Sequence, residues 1–421
     1  MRMRHRTVIS FALRSCLLPV APLAIAVMLA TGCGADDQSR PGFPRTPRTA
    51  LEETPYPYAA AAEDVGLSSD AIWLFKERLY SRVVARHVIG SEILVIKDGQ
   101  IVLHQAMGWA DRDDLVPMER NSIFRLASMT KPFVATAALL LAEEGRIALD
   151  SQVATYLASF DNEGSRRITV WELLTHRSGF VQGGEPPGFA ARPTLVDAVS
   201  LAAAQGPDFE PGERFIYSNL NSDALGAVVA TVSAMPVERF FEERILEPLG
   251  LAETHTAFSP DEDWANRVPS LYRSWGGTSW ERWWNPARPH ATSWFSPAGD
   301  LFGTAFDYAR FLQMWIDGGA FEDERLLQPA TVENALADAT AADTTVSDTT
   351  APRTRGYGMH WEIYARPPAT GGLPTFGHRG ATGTLGMAIP HRNTIVIYLT
   401  NSGETEVVDE VIDAALEMFG S

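Results

Sequence analysis

The chain has 421 residues, 45% hydrophobic and 21% charged, which is ample material for a sizeable core. Its formal net charge of −17 repels nucleic-acid phosphates and anionic membrane surfaces, so neither is expected as an electrostatic partner. Two or three domains, or one large enzyme domain with an insertion, fit this length.

Taken in chain order, the first residues read as an export signal. Arg2, Arg4 and Arg6 precede an apolar run from Cys16 to Leu29, which fits a cleaved signal better than a membrane span. The run ends in LATGC, residues 29–33. This resembles the lipobox of bacterial lipoproteins, with Ala30 where leucine is usual and Leu29 one place earlier. The resemblance implies lipidation of Cys33, membrane contact only through that anchor, and a periplasmic or cell-surface location. Cys16, the one other cysteine, would leave with the signal peptide at 1–32, so neither a disulfide nor a thiol nucleophile is expected.

Residues 33–64, rich in proline and polar side chains, are expected to form a disordered tether. The apolar spacing predicts a helix over 68–86. EILVIKDGQIVLHQA, residues 92–106, predicts a hairpin turning at Asp98-Gly99, with Lys97 as a solvated charge at the turn. KPFVATAALLLAEEGRI, residues 131–147, is apolar around nearly its whole circumference, which predicts a buried helix closed by Gly145. Further helices are predicted over 168–180, 195–204, 221–233 and 237–250. The stretch 331–354 starts helical and decays into low complexity. Strand patterns return in YGMHWEIYA, PTFGHRG and TLGMAIPHRNTIVIYLTN, with a turn at Pro390–Asn393. A one-faced apolar helix over 404–419 closes the chain. Strands at both ends and helices between imply an α+β fold. One antiparallel sheet would be built from about 65–150 and 320–420, beside an all-helical insertion over about 150–320.

Three short stretches carry chemistry. Of 35 lysines and arginines only three are lysines, and Lys131 stands three residues after Ser128. At a helix start that spacing puts both side chains on one face. A buried lysine can release its proton to and from a serine hydroxyl; arginine stays charged. YSN, residues 217–219, offers a phenol whose proton a neighbouring ammonium would loosen, and an amide able to donate and accept. Read alone it is more readily a helix N-cap by Ser218 or Asn219, with Tyr217 in the core. HRGATGT, residues 378–384, opens a strand where Gly380 permits close backbone approach and the Ala381 N–H can face a reacting oxygen. Read alone, it is more readily structural.

Ser-x-x-Lys, then Tyr-x-Asn, then His-x-Gly, in this order, resemble the signature of the serine β-lactamase and penicillin-binding-protein fold. The tyrosine version is similar to class C β-lactamases, D-Ala-D-Ala carboxypeptidases and esterases of that fold. ITVWELLTHRSG, EPGERFIYSN and SPAGDLFGTAFDYARFL add to the resemblance, which covers about 65–420. It implies Ser128 as the acylated nucleophile, Lys131 as its proton partner and Tyr217 as base. It implies Asn219 as substrate-orienting, and the N–H groups of Ser128 and Ala381 as the oxyanion hole. His378 stands where the β-lactamases carry the lysine of Lys-Thr-Gly, and Arg379 where they carry the threonine. A histidine is only partly charged near neutral pH, and a regular strand turns Arg379 to the other face. Both departures speak against efficient β-lactam hydrolysis, and the resemblance in His-x-G is to the esterases and D-amino-acid peptidases of this fold.

Six of the 11 tryptophans lie at 264, 275, 280, 283, 284 and 294, in a segment expected to be a loop. They either wall an apolar pocket or pin the loop to the helical part. No zinc-binding spacing, phosphate loop or G-x-S-x-G elbow is present, and no metal or cofactor is expected. The sequence thus points to an exported serine hydrolase acting on a small ester. Alternatives are a D-Ala-D-Ala peptide, a D-amino-acid amide or a β-lactam as substrate, or a binding lipoprotein of the same fold.

Overall fold

The computed structural model describes residues 54–274, 276, 278–288, 293–341, 356–403 and 405–419. The expected signal, Cys33, the low-complexity stretch 342–355 and Trp275 lie outside the described residues. Helix α1 (Ser69–Val84) is capped by Ser68, whose hydroxyl accepts the Ala71 N–H. Asp98 and Gly99, with φ of 51° and 72°, then close the hairpin of β1 (Gly90–Lys97) and β2 (Gln100–Asp111). Lys97 pairs with Asp98 at that turn.

Short strands β3 (Val116–Pro117) and β4 (Phe124–Arg125) lead to α2 (Lys131–Glu143). Helices α3 (Val170–Leu174), α4 (Leu195–Gln205), α5 (Asn219–Ser233) and α6 (Val237–Phe241) follow. A π-helical turn, Glu242–Leu246, continues α6. Strands β5 (Leu271–Ser274) and β6 (Trp280–Trp284) pair as a hairpin, and β7 (Phe302–Gly303) pairs with β4. Next come α7 (Ala305–Ile316), the small hairpin β8 (Ala320–Phe321) and β9 (Glu324–Arg325), and α8 (Pro329–Ala335). The chain ends with β10 (Gly356–Tyr357), β11 (Glu362–Ala365), β12 (Thr375–Arg379), β13 (Leu385–Ile389), β14 (Thr394–Thr400) and α9 (Thr405–Phe419).

The two chain ends meet in one 8-stranded antiparallel sheet, ordered β10-β11-β12-β13-β14-β1-β2-β3, with Leu94 opposite Ile397. Both faces are covered, so the middles of the central strands, Ile93–Ile96 and Ile395–Leu399, are apolar without alternation. Ile93, Val95, Val396 and Tyr398 pack with Leu79, Val83, Val408 and Val411 of α1 and α9. Leu94, Ile96, Ile395 and Ile397 face the other way, into a core with Phe133 of α2 and Phe311 of α7. Those two rings stack at 3.9 Å. The same core runs on to Leu225 of α5 and Phe241 of α6, so sheet and helices share it.

Three expectations change. First, the tether is shorter than 33–64. Ala59 N–H donates to Ile101 O at 3.0 Å, Ile101 N–H donates to Pro57 O at 2.8 Å, and Tyr56 is buried. Those contacts repay the ordering of a proline-rich strand that composition alone left free. Second, the region 150–320 is not all helical. The tryptophan-rich loop folds as β5–β6, and its turn carries the left-handed Gly276. Trp280 donates to Arg86 O at 2.7 Å, while Trp264 and Trp284 pack against Phe258 and Phe302. These tryptophans pin the segment; Trp283 remains exposed. Third, α7 packs on β1, β13 and β14. It belongs to the layer on the sheet rather than to the insertion.

Candidate active site

The nucleophile sits on a turn held from several directions. Ser128 lies in a 3₁₀ turn, Ala127–Thr130, that runs into α2. Ala127 has φ of 50°, a left-handed conformation that a residue with a side chain rarely adopts. Its neighbours enforce it. Leu126 N–H donates to Leu301 O at 2.9 Å, and Thr130 Oγ1 donates to Ala127 O at 2.7 Å. Thr382 and Thr384 donate to the carbonyls of Arg125 and Leu126 at 3.1 and 3.2 Å. Ser128 itself is half-buried, whereas Lys131 is fully buried.

Lys131 Nζ donates to Ser128 Oγ at 3.1 Å, Asn219 Oδ1 at 2.8 Å and Ala298 O at 2.7 Å. Burial in the apolar helix pushes its pKa down to about 7, against the opposing pull of the Asp223 and Glu362 carboxyls. Near neutrality this amine therefore exists in both protonation states, as proton exchange with Ser128 requires. Nζ also lies 4.9 Å from the ring centroid of Tyr217. Lys131 thus stands against both the Ser128 hydroxyl and the Tyr217 ring.

The N-cap alternative for YSN does not account for this turn. Ser218 makes no side-chain cap bond; its hydroxyl donates to Val181 O at 3.0 Å. Asn219 accepts from Lys131 through its side chain and donates its own N–H to Gln182 Oε1 at 2.9 Å. Behind the turn stands His176, which sequence reasoning did not single out although it lies within LLTHRSG. Its carbonyl accepts the Ile216 N–H at 2.8 Å, and its Nδ1 accepts the Ser218 N–H at 3.2 Å. Its ring lies 4.7 Å from that of Tyr217. His360 stacks on its other face at 4.6 Å. Burial holds both imidazoles well below their usual pKa, so they form a neutral aromatic support for the phenol.

His378 is buried and engaged through both ring nitrogens. Nδ1 meets the Arg379 carbonyl at 2.7 Å and Nε2 meets the Tyr357 hydroxyl at 3.0 Å. A carbonyl only accepts, so Nδ1 carries the proton and Nε2 accepts from the phenol. Burial pulls the pKa of His378 down to about 4, against the opposing Glu362 charge. It is neutral at physiological pH, not partly charged. Arg379 turns to the other face, as the strand period predicts, with Nε 2.9 Å from Glu362 and Nη1 3.3 Å from Asp409 of α9. Neither residue presents a cation to Ser128.

Gly380 explains itself by contact. A Cβ there would lie 2.1 Å from Thr384 Oγ1, 2.5 Å from Leu126 O and 3.3 Å from Ala127 Cβ. Only glycine lets β12 come this close to the nucleophile turn, which places the exposed Ala381 beside it. Among the described residues no group of three or more His, Cys, Asp or Glu side chains is placed to hold a metal ion.

Residues 75–417 match the family model described as Beta-lactamase. The chain belongs to the beta-lactamase family. As a member of this family with a buried lysine on its serine, it is a serine hydrolase. Protein Rv1367c of Mycobacterium tuberculosis is 30% identical over 372 residues, covering 79% of this chain and 89% of that protein. A putative D-alanyl-D-alanine carboxypeptidase of Escherichia coli O157:H7 is 26% identical over 380 residues, covering 79% and 83%. Among solved structures, EstCE1, "a hydrolase with promiscuous acyltransferase activity", superposes with a TM-score of 0.69 at 24% identity, covering 82% of this chain and 99% of that one. The last likeness speaks for the fold alone.

Proposed function

We propose that this beta-lactamase-family enzyme hydrolyses a carboxylic ester with an uncharged alcohol group, through an acyl-enzyme on Ser128. The supporting observation is the missing cation: His378 is neutral with both nitrogens occupied, and Arg379 faces Glu362 and Asp409. A substrate carboxylate brought there would be desolvated without a partner. The Ser128 oxygen attacks the ester carbonyl while its proton passes to the Lys131–Tyr217 pair. The carbon–oxygen bond to the alcohol breaks, and the alcohol leaves with that proton. Water then attacks the acyl carbon and releases the acid, returning a proton to Ser128. The Ala381 and Ser128 N–H groups are assigned to the carbonyl oxygen, and Asn219 to orienting the substrate.

A second reading is favoured by the curated relatives named putative D-alanyl-D-alanine carboxypeptidase, for which the leaving group is an amine carrying a carboxylate. A panel of p-nitrophenyl esters, a chromogenic cephalosporin and a D-Ala-D-Ala peptide separates the two. Ester turnover dominant and lost in Ser128→Ala supports the first reading. Release of D-alanine faster than ester cleavage overturns it in favour of the second. We further propose export and lipid anchoring at Cys33. Radiolabelled palmitate incorporated by the parent but not by Cys33→Ala supports that, and label retained in Cys33→Ala refutes it.

A further inference from the structure

The centre contains a second buried carboxyl for which the reaction above has no use. Asp223 lies on α5 one turn after Asn219, on the same helix face, and is 3% exposed. Its Oδ1 accepts from Ser296 Oγ at 2.7 Å, and that hydroxyl oxygen accepts the Ala298 N–H at 3.3 Å. Ser296 in turn donates its N–H to Asp300 Oδ2 at 2.9 Å, and Arg125 Nη2 holds Asp300 Oδ1 at 3.0 Å. Ala298 is thus gripped at both ends: its N–H by the Ser296 hydroxyl that Asp223 holds, its carbonyl by Lys131 Nζ.

We propose that Asp223 is a positioning residue of the catalytic centre: it fixes the 296–298 turn so that the Ala298 carbonyl meets Lys131 Nζ and holds the amine on Ser128. The inference rests on the reading of Ser128 and Lys131 given above. Two observations support it beyond the hydrogen bonds. A carboxyl this deeply buried is expensive to keep unless it is used. And the charges interact: Asp223 acts on Lys131 and Lys131 on Asp223. Burial raises the Asp223 pKa to about 7 and lowers that of Lys131 to about 7, and each charge favours the other. The other titratable or charged groups around the pair are Glu362 and His378 on the sheet, His176 and His360 behind Tyr217, and Asp300 with its Arg125.

The role predicts a split between geometry and charge. Asp223→Asn keeps an acceptor for the Ser296 hydroxyl and removes the charge that favours the lysine ammonium. Ser296→Ala keeps the carboxyl and removes its link to the turn. The test compares parent, Asp223→Asn, Ser296→Ala and Ser128→Ala on p-nitrophenyl butyrate from about pH 5.5 to about 9. For Asp223→Asn the acid limb of kcat/KM moves at least about half a pH unit downward. The acid-side rate, relative to its own plateau, then rises about threefold. For Ser296→Ala, kcat falls about tenfold. An Asp223→Asn profile superimposed on the parent, together with parental kcat in Ser296→Ala, overturns the proposal. If Asp223→Asn fails to fold, the Ser296→Ala rate decides alone. Undiminished turnover in Ser128→Ala sinks the nucleophile assignment instead, so the two failures are distinguishable.

Discussion

Gly380→Ala offers the sharpest perturbation, because a single methyl acts at one backbone contact. Gly380 lies outside the left-handed region, so the substitution carries no backbone strain of its own. The added carbon would sit 2.1 Å from Thr384 Oγ1 and 2.5 Å from the Leu126 carbonyl. The threonine can rotate away by giving up its 3.2 Å bond to Leu126 O. The carbonyl belongs to the nucleophile turn and cannot. Restoring an ordinary carbon–oxygen contact therefore separates β12 from that turn by about 1 Å. A shift of that size in a catalytic constellation costs about 10²-fold, and loss of an oxyanion donor costs about 10²–10³-fold in kcat. Overpacking adds about 1–3 kcal/mol of instability. Gly299→Ala is the matched control, since its Cβ would meet Ala127 C, Cα and O at 3.6–3.8 Å, ordinary contact. Steady-state turnover of p-nitrophenyl butyrate, with thermal melts of both variants, reads the contrast. A folded Gly380→Ala enzyme within about threefold of parental kcat, or no better tolerance of Gly299→Ala, would refute the argument.

Other outcomes follow from the same structure. Lys131 is lowered to about 7, so kcat/KM for an ester rises through an acid limb centred near pH 7; a flat profile down to about pH 5 would contradict the neutral amine as proton acceptor. Tyr217→Phe keeps the ring against His176 and removes the phenol, so kcat falls about 10²–10⁴-fold with little change in melting temperature; a parental rate would remove the phenol from the mechanism. Arg379→Ala strands the buried Glu362 and destabilises the fold by about 3–5 kcal/mol at neutral pH, measured by urea unfolding. The sign of its pH dependence is fixed. In the parent, burial acts to raise the Glu362 pKa, but the opposing interactions, led by the Arg379 guanidinium, keep the carboxyl below its usual value. Without Arg379 the folded pKa rises above the unfolded one, so the penalty grows as pH rises through the unfolded value and shrinks on acidification. A penalty independent of pH, or one relieved at high pH, would refute this, and Glu362→Gln should rescue most of the loss.

Much of this centre was legible in the residues. A lysine three places after a serine, in a chain that otherwise uses arginine, pointed to a buried amine at the start of an apolar helix, and α2 buries it. The sheet joining both chain ends followed from apolar runs too short for helices and from the Asp98-Gly99 turn. What escaped were contacts between segments distant in sequence. Nothing local told that His176 would support Tyr217, because its role depends on a ring brought from 41 residues on and on His360 stacking behind it. Asp223 was within reach, four residues after Asn219 on a predicted helix, but its partner Ser296 comes from a loop. The β5–β6 hairpin was read as a loop because glycines and prolines masked a short strand pair that tertiary packing of Trp280 and Trp284 stabilises.

Intact-mass and peptide mass spectrometry of the enzyme, acid-quenched within the first turnovers of p-nitrophenyl butyrate, tests the covalent step directly. The account predicts a butyryl adduct on the peptide carrying Ser128 and none in Ser128→Ala. Sustained ester hydrolysis that persists undiminished in Ser128→Ala, with no adduct on that peptide, would contradict it.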